Sequence, residues 1–251
     1  MVQLKSAREI EVMAEGGRIL VATLEHATRA VEAGLSTWEL DQIVESFIRA
    51  HHGAVPAFKG LYGFPGSACI SVNHEIVHGI PSRQRILADG DIVTLDIGVK
   101  YRNYYTDSAR TVPVGRIDAP SARLLEVTQA SLEAGVAQCE PGKHLGDIGH
   151  AIQAVVEAAG FSVVRELVGH GVGSSLHEEP QVPNYGKPKR GLALVPGMTL
   201  AIEPMVNAGR AETKTLADKW TVVTADGSRS AHFEHTVAIT EDGPRILTRA
   251  A

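Results

Sequence analysis

Cysteine is nearly absent: Cys69 and Cys139 are the only two in 251 residues. That excludes a disulfide framework and fits a reducing compartment. No apolar run approaches the roughly 18 residues that span a bilayer. The opening Met1-Val2-Gln3-Leu4-Lys5-Ser6-Ala7-Arg8 lacks the apolar core of a secretory signal. Positive charge is not in excess, since 24 Lys and Arg stand against 29 Asp and Glu, for a net charge of -5. Neither nucleic acid nor an anionic membrane is therefore favoured as a partner. Low-complexity segments and credible linkers are also missing. What remains is an ordinary globular composition, 44% apolar and 21% charged, long enough to bury a substantial core. A soluble cytoplasmic protein is the expectation.

Four segments carry helical signals. Ser6-Ala7-Arg8-Glu9 has capping-box form and precedes Ile10, Met13, Gly17, Leu20 and Leu24 at helical spacing. Ser36-Thr37-Trp38-Glu39 repeats the signal ahead of Leu40, Ile43, Val44, Phe47 and Ile48. A third helix is predicted to start near Pro120-Ser121, and a fourth to run from about Asp147 through Ile148, Ile152, Val155 and Val156. Strands are predicted at 91–99, 163–168, 198–203, 220–224 and 234–240, separated by Gly-, Pro- and Asp-rich turns.

Helices followed by strands occur twice, and the two passes match locally. Ser6-Ala7-Arg8 with Glu11-Val12 recurs as Ser121-Ala122-Arg123 with Glu126-Val127. His78-Gly79-Ile80 has a counterpart in His170-Gly171-Val172, and Gly90 stands to Asp96 as Gly197 stands to Glu203. Matches in the same order imply an internal duplication. The expected fold class is α+β, a single domain over 1–251 in two pseudo-symmetric halves, about 1–115 and 116–251. A curved antiparallel or mixed sheet would be covered by helices.

Each half supplies a histidine and two carboxylates: His78, Asp96 and Asp107, then His170, Glu203 and Glu234. Asp96, Glu203 and Glu234 sit within or beside apolar strand segments. An isolated carboxylate there costs several kcal/mol unless neutralised. Pairing with Lys or Arg is the ordinary remedy, but these strands offer no basic residue nearby. Divalent metal ions resolve the repulsion, and oxygen-rich ligands with one imidazole suit a pair such as Mn, Fe, Co or Zn.

The stretch Asn73-His74-Glu75-Ile76-Val77-His78-Gly79-Ile80-Pro81 also contains H-E-x-x-H, which holds zinc only when both histidines share a helix. Gly79 and Pro81 follow at once, and Cys69-Ile70-Ser71-Val72-Asn73 reads as strand and turn. The pattern is therefore accidental.

Taken together, the motifs resemble the type I methionine aminopeptidases, whose fold is the pita-bread (creatinase/aminopeptidase) fold. The motifs are Cys69-Ile70-Ser71-Val72-Asn73 leading to His78-Gly79-Ile80-Pro81; Gly90-Asp91-Ile92-Val93 to Asp96; Thr106-Asp107-Ser108-Ala109-Arg110-Thr111; Gly169-His170-Gly171-Val172-Gly173; His177-Glu178-Glu179-Pro180-Gln181-Val182; Ile202-Glu203-Pro204-Met205; and Glu234-His235-Thr236. The resemblance covers essentially the whole chain. It implies hydrolytic removal of the initiator methionine from nascent proteins, preferentially where the second residue is small, by a monomer.

It implies Asp96, Asp107, His170, Glu203 and Glu234 as ligands of two divalent ions (Co, Mn, Fe or Zn), with Asp107 and Glu234 bridging. A metal-activated water would be the nucleophile, and Glu203 would carry its proton to the leaving amine. His78 and His177 would hydrogen-bond the scissile amide and the developing oxyanion. Cys69, Trp220, Tyr62 and Phe64 are the expected walls of the methionine pocket. A monovalent cation is expected at carbonyls near Asn73, Glu75 and Ser230.

Departures from the family pattern are Leu176 where an aromatic is usual, Tyr62 and His232 where His and Gln are expected, and Tyr101-Arg102-Asn103-Tyr104-Tyr105 in place of a Gly-containing hairpin. The glycine run at Gly169, Gly171 and Gly173 lacks the Lys-Ser/Thr of a phosphate loop. His26, His51, His52, His144 and His150 read as solvated. Lys187-Pro188-Lys189-Arg190 reads as a solvated basic loop able to touch a ribosome. The competing readings are a same-fold peptidase acting on Xaa-Pro bonds and a catalytically dead binding module. Retention of all five candidate ligands opposes the second.

Overall fold

In the computed structural model, which describes residues 2–249, four helices form: α1 Ala7–Ala30, α2 Thr37–Arg49, α3 Ala119–Val136 and α4 Leu145–Ala158. Their caps explain their starts. Ser6 Oγ accepts the Glu9 N–H, and the Glu9 carboxylate takes the Ser6 N–H at 2.7 Å. Ser36 and Glu39 do the same for α2. Asp118 caps α3 through the Ser121 N–H at 2.8 Å. The fourth helix begins at Leu145, earlier than Asp147, because Asp147 closes the first turn by accepting the His144 N–H at 2.8 Å.

The helices cover the sheets in pairs. Leu20, Leu24, Leu40, Val44 and Ile48 from α1 and α2 share a core with Ile70, Val93, Leu95 and Ile97. From α3 and α4, Leu124, Leu132, Ile148 and Ile152 pack on Leu200, Ile202, Val237 and Ile239. Each such side chain contributes about 1.5–3 kcal/mol on burial.

In the first sheet the long strand Ile92–Tyr101 pairs with Ala54–Pro56, Ala68–Val72 and Tyr104–Pro113. The second runs Gly243–Ile246, His235–Thr240, Thr199–Ile202, Gly169–Gly171, Glu178–Val182. Every pairing among the described residues is antiparallel.

A polar seam joins the two sheets. The Asp107 N–H donates to Thr236 Oγ1 at 2.9 Å, and Thr236 Oγ1 donates to the Asp107 carbonyl at 2.8 Å. Ser108 Oγ donates to the Glu234 carbonyl at 2.6 Å, and the Glu234 N–H to the Ala109 carbonyl at 2.9 Å.

Three strand expectations change. The segment 163–168 keeps only Ser162–Val163, because Arg165 and Glu166 turn out to solvent. The strand expected from Trp220 starts at Val222, since Asp218 accepts the N–H groups of Trp220 and Thr221 in a turn. The strand Tyr104–Pro113 was not expected, because Asp107, Ser108 and Arg110 break the apolar alternation. Its hairpin turns on Arg102 and Asn103, with φ of 46° and 69°, the backbone that a two-residue hairpin requires.

The H-E-x-x-H stretch is not helical. It follows the strand Ala68–Val72 and comprises a turn at Asn73 and His74, the strand Glu75–Val77, and His78 at φ 59°. Gly79 then passes so close to the first sheet that a Cβ would lie 2.2 Å from the Ile70 carbonyl oxygen. Neither backbone can yield there. Gly79→Ala is expected to cost about 3 kcal/mol and to lower Tm by about 10 °C, read by thermal denaturation.

Candidate active site

Strand register aims the five candidate ligands at one cavity. Side chains two apart on a strand, or directly paired across two strands, share a face. Asp107 pairs with Gly98, two residues from Asp96, and Asp96 pairs with Cys69. Asp96, Asp107 and Cys69 therefore face the same way. In the second sheet His170 pairs with Ala201, two residues before Glu203. His235 pairs with Ile202, so one step outward Glu234 stands opposite Glu203. The seam turns both faces toward each other across a cavity of about 520 Å³.

Ligand-capable atoms of Asp107, His170 and Glu234 lie within 4.8 Å of one another. His170 Nε2 is 3.5 Å from Glu203 Oε1 and 3.9 Å from Asp107 Oδ2. Its Nδ1 lies 2.9 Å from the Gly171 carbonyl. A carbonyl only accepts, so Nδ1 carries the proton and Nε2 turns its lone pair toward the acids.

The electrostatics are severe. Burial lifts Asp96 to about 7. Burial, then the Asp96 charge, pushes Asp107 and Glu203 well above the carboxylate range. Burial and Asp107 do the same to Glu234. Burial and then His177 hold His170 down to about 4, keeping it neutral. Among the described residues, Asp96 Oδ1, Asp107 Oδ1 and Glu234 Oε1 are buried without a hydrogen-bond partner, and neither Lys nor Arg lines the cavity. Buried polar atoms are normally satisfied. An oxygen-rich cluster with one neutral imidazole and orphaned carboxylate oxygens fits hard divalent cations.

The remaining predicted residues surround this cluster. His177 stands edge-on to His170, ring centroids 4.5 Å apart, and stacks on Tyr62 at 6.0 Å. His78 meets the Trp220 edge at 6.3 Å. Burial lowers both His78 and His177, with the charge of His177 adding to the effect on His78. Cys69, Phe64 and Leu176 pack together with Trp220 against them, so Leu176 fills apolar space. Tyr62 is 75% exposed at the mouth, at φ 51°. Burial, then Asp96, keeps the Cys69 thiol protonated and apolar.

Among the cavity residues not expected as site residues are Gln181, Met205 and His232. Gln181 pairs with His170 in register, a relation visible only once the strands are aligned. His232 is 1% exposed, with Nε2 3.7 Å from Glu203 Oε2 and neither ring nitrogen hydrogen-bonded. Burial and then His78 hold it down to about 3, so it is neutral.

Residues 11–241 match metallopeptidase family M24. The chain is 57% identical over 249 residues to "Methionine aminopeptidase 1" of Bacillus subtilis, covering 99% of this chain and 100% of that protein. It is 52% identical over 248 residues to a methionine aminopeptidase of Clostridium perfringens, covering 99% of each. The solved methionine aminopeptidase of Thermotoga maritima superposes with a TM-score of 0.97 at 44% identity, covering 100% of both chains. A prolidase of Pyrococcus horikoshii, at TM-score 0.80 and 23% identity over 99% of this chain and 64% of its own, shares the fold alone. The architecture is the pita-bread fold, and no helix among the described residues is long and apolar enough to cross a membrane. The chain belongs to metallopeptidase family M24, in its methionine aminopeptidase branch, and is a metal-dependent aminopeptidase.

Proposed function

We propose that this chain removes the initiator methionine from nascent proteins, preferentially when the second residue is small, using two divalent ions held by Asp96, Asp107, His170, Glu203 and Glu234. The observation that carries this reading is the cluster of buried carboxylates, three of them with an orphaned oxygen, beside an apolar wall in a cavity that no Lys or Arg lines among the described residues. When bound, the ions supply Lewis acidity and an activated water near neutral pH.

The protein's own groups do the rest. Glu203 accepts the water's proton and returns it to the leaving amine. Neutral His78 and His177 offer N–H donors to the scissile amide and the developing oxyanion. Phe64, Cys69 and Trp220 receive the methionine side chain, while Tyr62, expected as a fourth wall, is 75% exposed and stands at the mouth.

The chain acts as a monomer and as one catalytic domain with halves at about 1–115 and 116–251. The helix pair and antiparallel sheet in each half support that division. A cytoplasmic location follows from substrates that emerge there, and the exposed loop from Lys187 to Arg190 offers a surface for transient ribosome contact. A monovalent cation belongs among the carbonyls near Asn73, Glu75 and Ser230. The Ser230 N–H donates to the Asn73 carbonyl at 2.8 Å, which brings those segments together.

The test is a peptide assay on chelator-treated protein with Co, Mn, Fe and Zn restored one at a time. Met-Ala-Ser is expected to release free methionine with at least one metal, and an Xaa-Pro dipeptide is expected to stay intact. Xaa-Pro cleavage without action on Met-Ala-Ser would overturn the reading.

A further inference from the structure

Ahead of α1 lies a buried cation for which the proposed reaction has no use. The Lys5 side chain is 4% exposed and that of Glu178 6%. The Lys5 ammonium donates to Glu178 Oε2 and, at 2.9 Å, to the Gln3 carbonyl. Its backbone N–H donates to the Gly197 carbonyl at 2.7 Å, fixing the segment to the second half of the fold.

The other oxygen of Glu178 closes a turn. Oε1 accepts the Ser175 N–H at 3.0 Å and the Ser174 hydroxyl at 3.0 Å. At the far side of the turn the Tyr105 N–H donates to the Gly173 carbonyl at 2.8 Å. Gly173 leaves room for the strap: a Cβ there would lie 2.1 Å from Lys5 Cε. This turn carries Leu176 and His177 into the cavity.

His177 depends on that frame. Among the described residues its ring is held by aromatic contact with His170 and Tyr62, and no hydrogen bond orients it. The backbone of the turn therefore decides where its N–H points. Without Lys5, Glu178 would be an uncompensated buried charge. The turn would open to hydrate it.

We propose that Lys5 is a positioning residue for the reaction: by neutralising Glu178 it locks the turn 173–178 and so sets His177 against the substrate. The proposal rests on His177 facing substrate, as assigned above.

The experiment measures kcat and KM on Met-Ala-Ser, Mn²⁺ affinity and Tm for metal-saturated full chains carrying Lys5→Met, Gly173→Ala, His177→Ala and their double combinations. Lys5→Met is expected to lower kcat by on the order of 10- to 100-fold, the range for groups that orient reactive ones, with Mn²⁺ affinity within about twofold. Gly173→Ala, whose methyl displaces Lys5, should reproduce the loss and add little to Lys5→Met. In the His177→Ala background Lys5→Met should change kcat little, because its target is gone.

A Lys5→Met enzyme with wild-type kcat overturns the proposal. So does a loss that persists undiminished in the His177→Ala background, or one that tracks the unfolded or metal-free fraction. If Lys5→Met fails to fold, Gly173→Ala with and without His177→Ala decides alone. Full activity in His177→Ala itself would instead overturn the assignment of His177, a separate result.

Discussion

Glu203→Ala is expected to lower kcat/KM on Met-Ala-Ser by on the order of 10³-fold or more, and His170→Ala by a similar factor. Both side chains point into the carboxylate cluster, His170 Nε2 lying 3.5 Å from Glu203 Oε1. Each removal takes away a candidate metal ligand, and Glu203→Ala also removes the proposed proton carrier. Several kcal/mol of transition-state stabilisation depend on a correctly held metal site, and each 1.4 kcal/mol is tenfold in rate.

Loss of fold is separable from loss of function. Glu203→Ala relieves repulsion among buried acids, so its Tm in chelator is expected to equal or exceed that of the wild type. His74→Ala is the control: His74 sits half-buried at the Asn73–His74 turn, outside the cavity lining, and should keep a near-wild-type rate. Near-wild-type turnover in Glu203→Ala or His170→Ala would sink the ligand assignment, and complete metal loss in His74→Ala would place His74 among the ligands instead.

Metal removal should expose the strain of the cluster in a pH-dependent way. Asp96, Asp107, Glu203 and Glu234 all bind protons more tightly folded than unfolded, Asp96 to about 7. Unfolded carboxylates titrate near 4. Above the unfolded value the folded state holds more protons, so the carboxylates' contribution to stability in chelator is greatest at the acid end and is lost as pH rises, for Asp96 through about 7. His170 has the opposite sign. Its folded value near 4 lies below 6.5, so its contribution is present above 6.5 and lost as pH falls toward 4.

Divalent ions need deprotonated carboxylates and a neutral imidazole, and they cancel the repulsion that grows with pH. The increase in Tm on adding Mn²⁺ to chelator-treated protein is therefore expected to be larger at pH 8 than at pH 6, by several degrees. One pKa unit is about 1.4 kcal/mol, and about 1 kcal/mol moves Tm by roughly 2–4 °C at this size. An equal or smaller increase at pH 8 would show that these acids do not bind the ion.

How much was legible before folding follows from the range of each signal. The capping boxes at Ser6 and Ser36 act within one turn, and both helices begin where they indicate. The acids in apolar strand segments stood out because burial without a partner is costly, and the structure gathers Asp96, Asp107, Glu203 and Glu234 at one cavity. Strand limits were less legible. The strand Tyr104–Pro113 carries its polar residues at the seam with the other half, where Thr236 and Glu234 satisfy its backbone and hydroxyl groups. Local alternation does not record such a partner 126 residues away.

The sequence alone determined the helices, the candidate ligands and the family motifs, because those rest on neighbours a few residues apart or on residue chemistry that burial makes obligatory. Tertiary structure alone decided which faces meet. The register of Gly98 with Asp107 and of His170 with Ala201 turned scattered acids into one cluster. The approach of His232 to Glu203 and the clasp of Lys5 on Glu178 across 173 positions arise only when separate segments are packed together. The physical reason is that such contacts are fixed by the closure of the whole core, and no local pattern encodes where that closure brings two distant side chains.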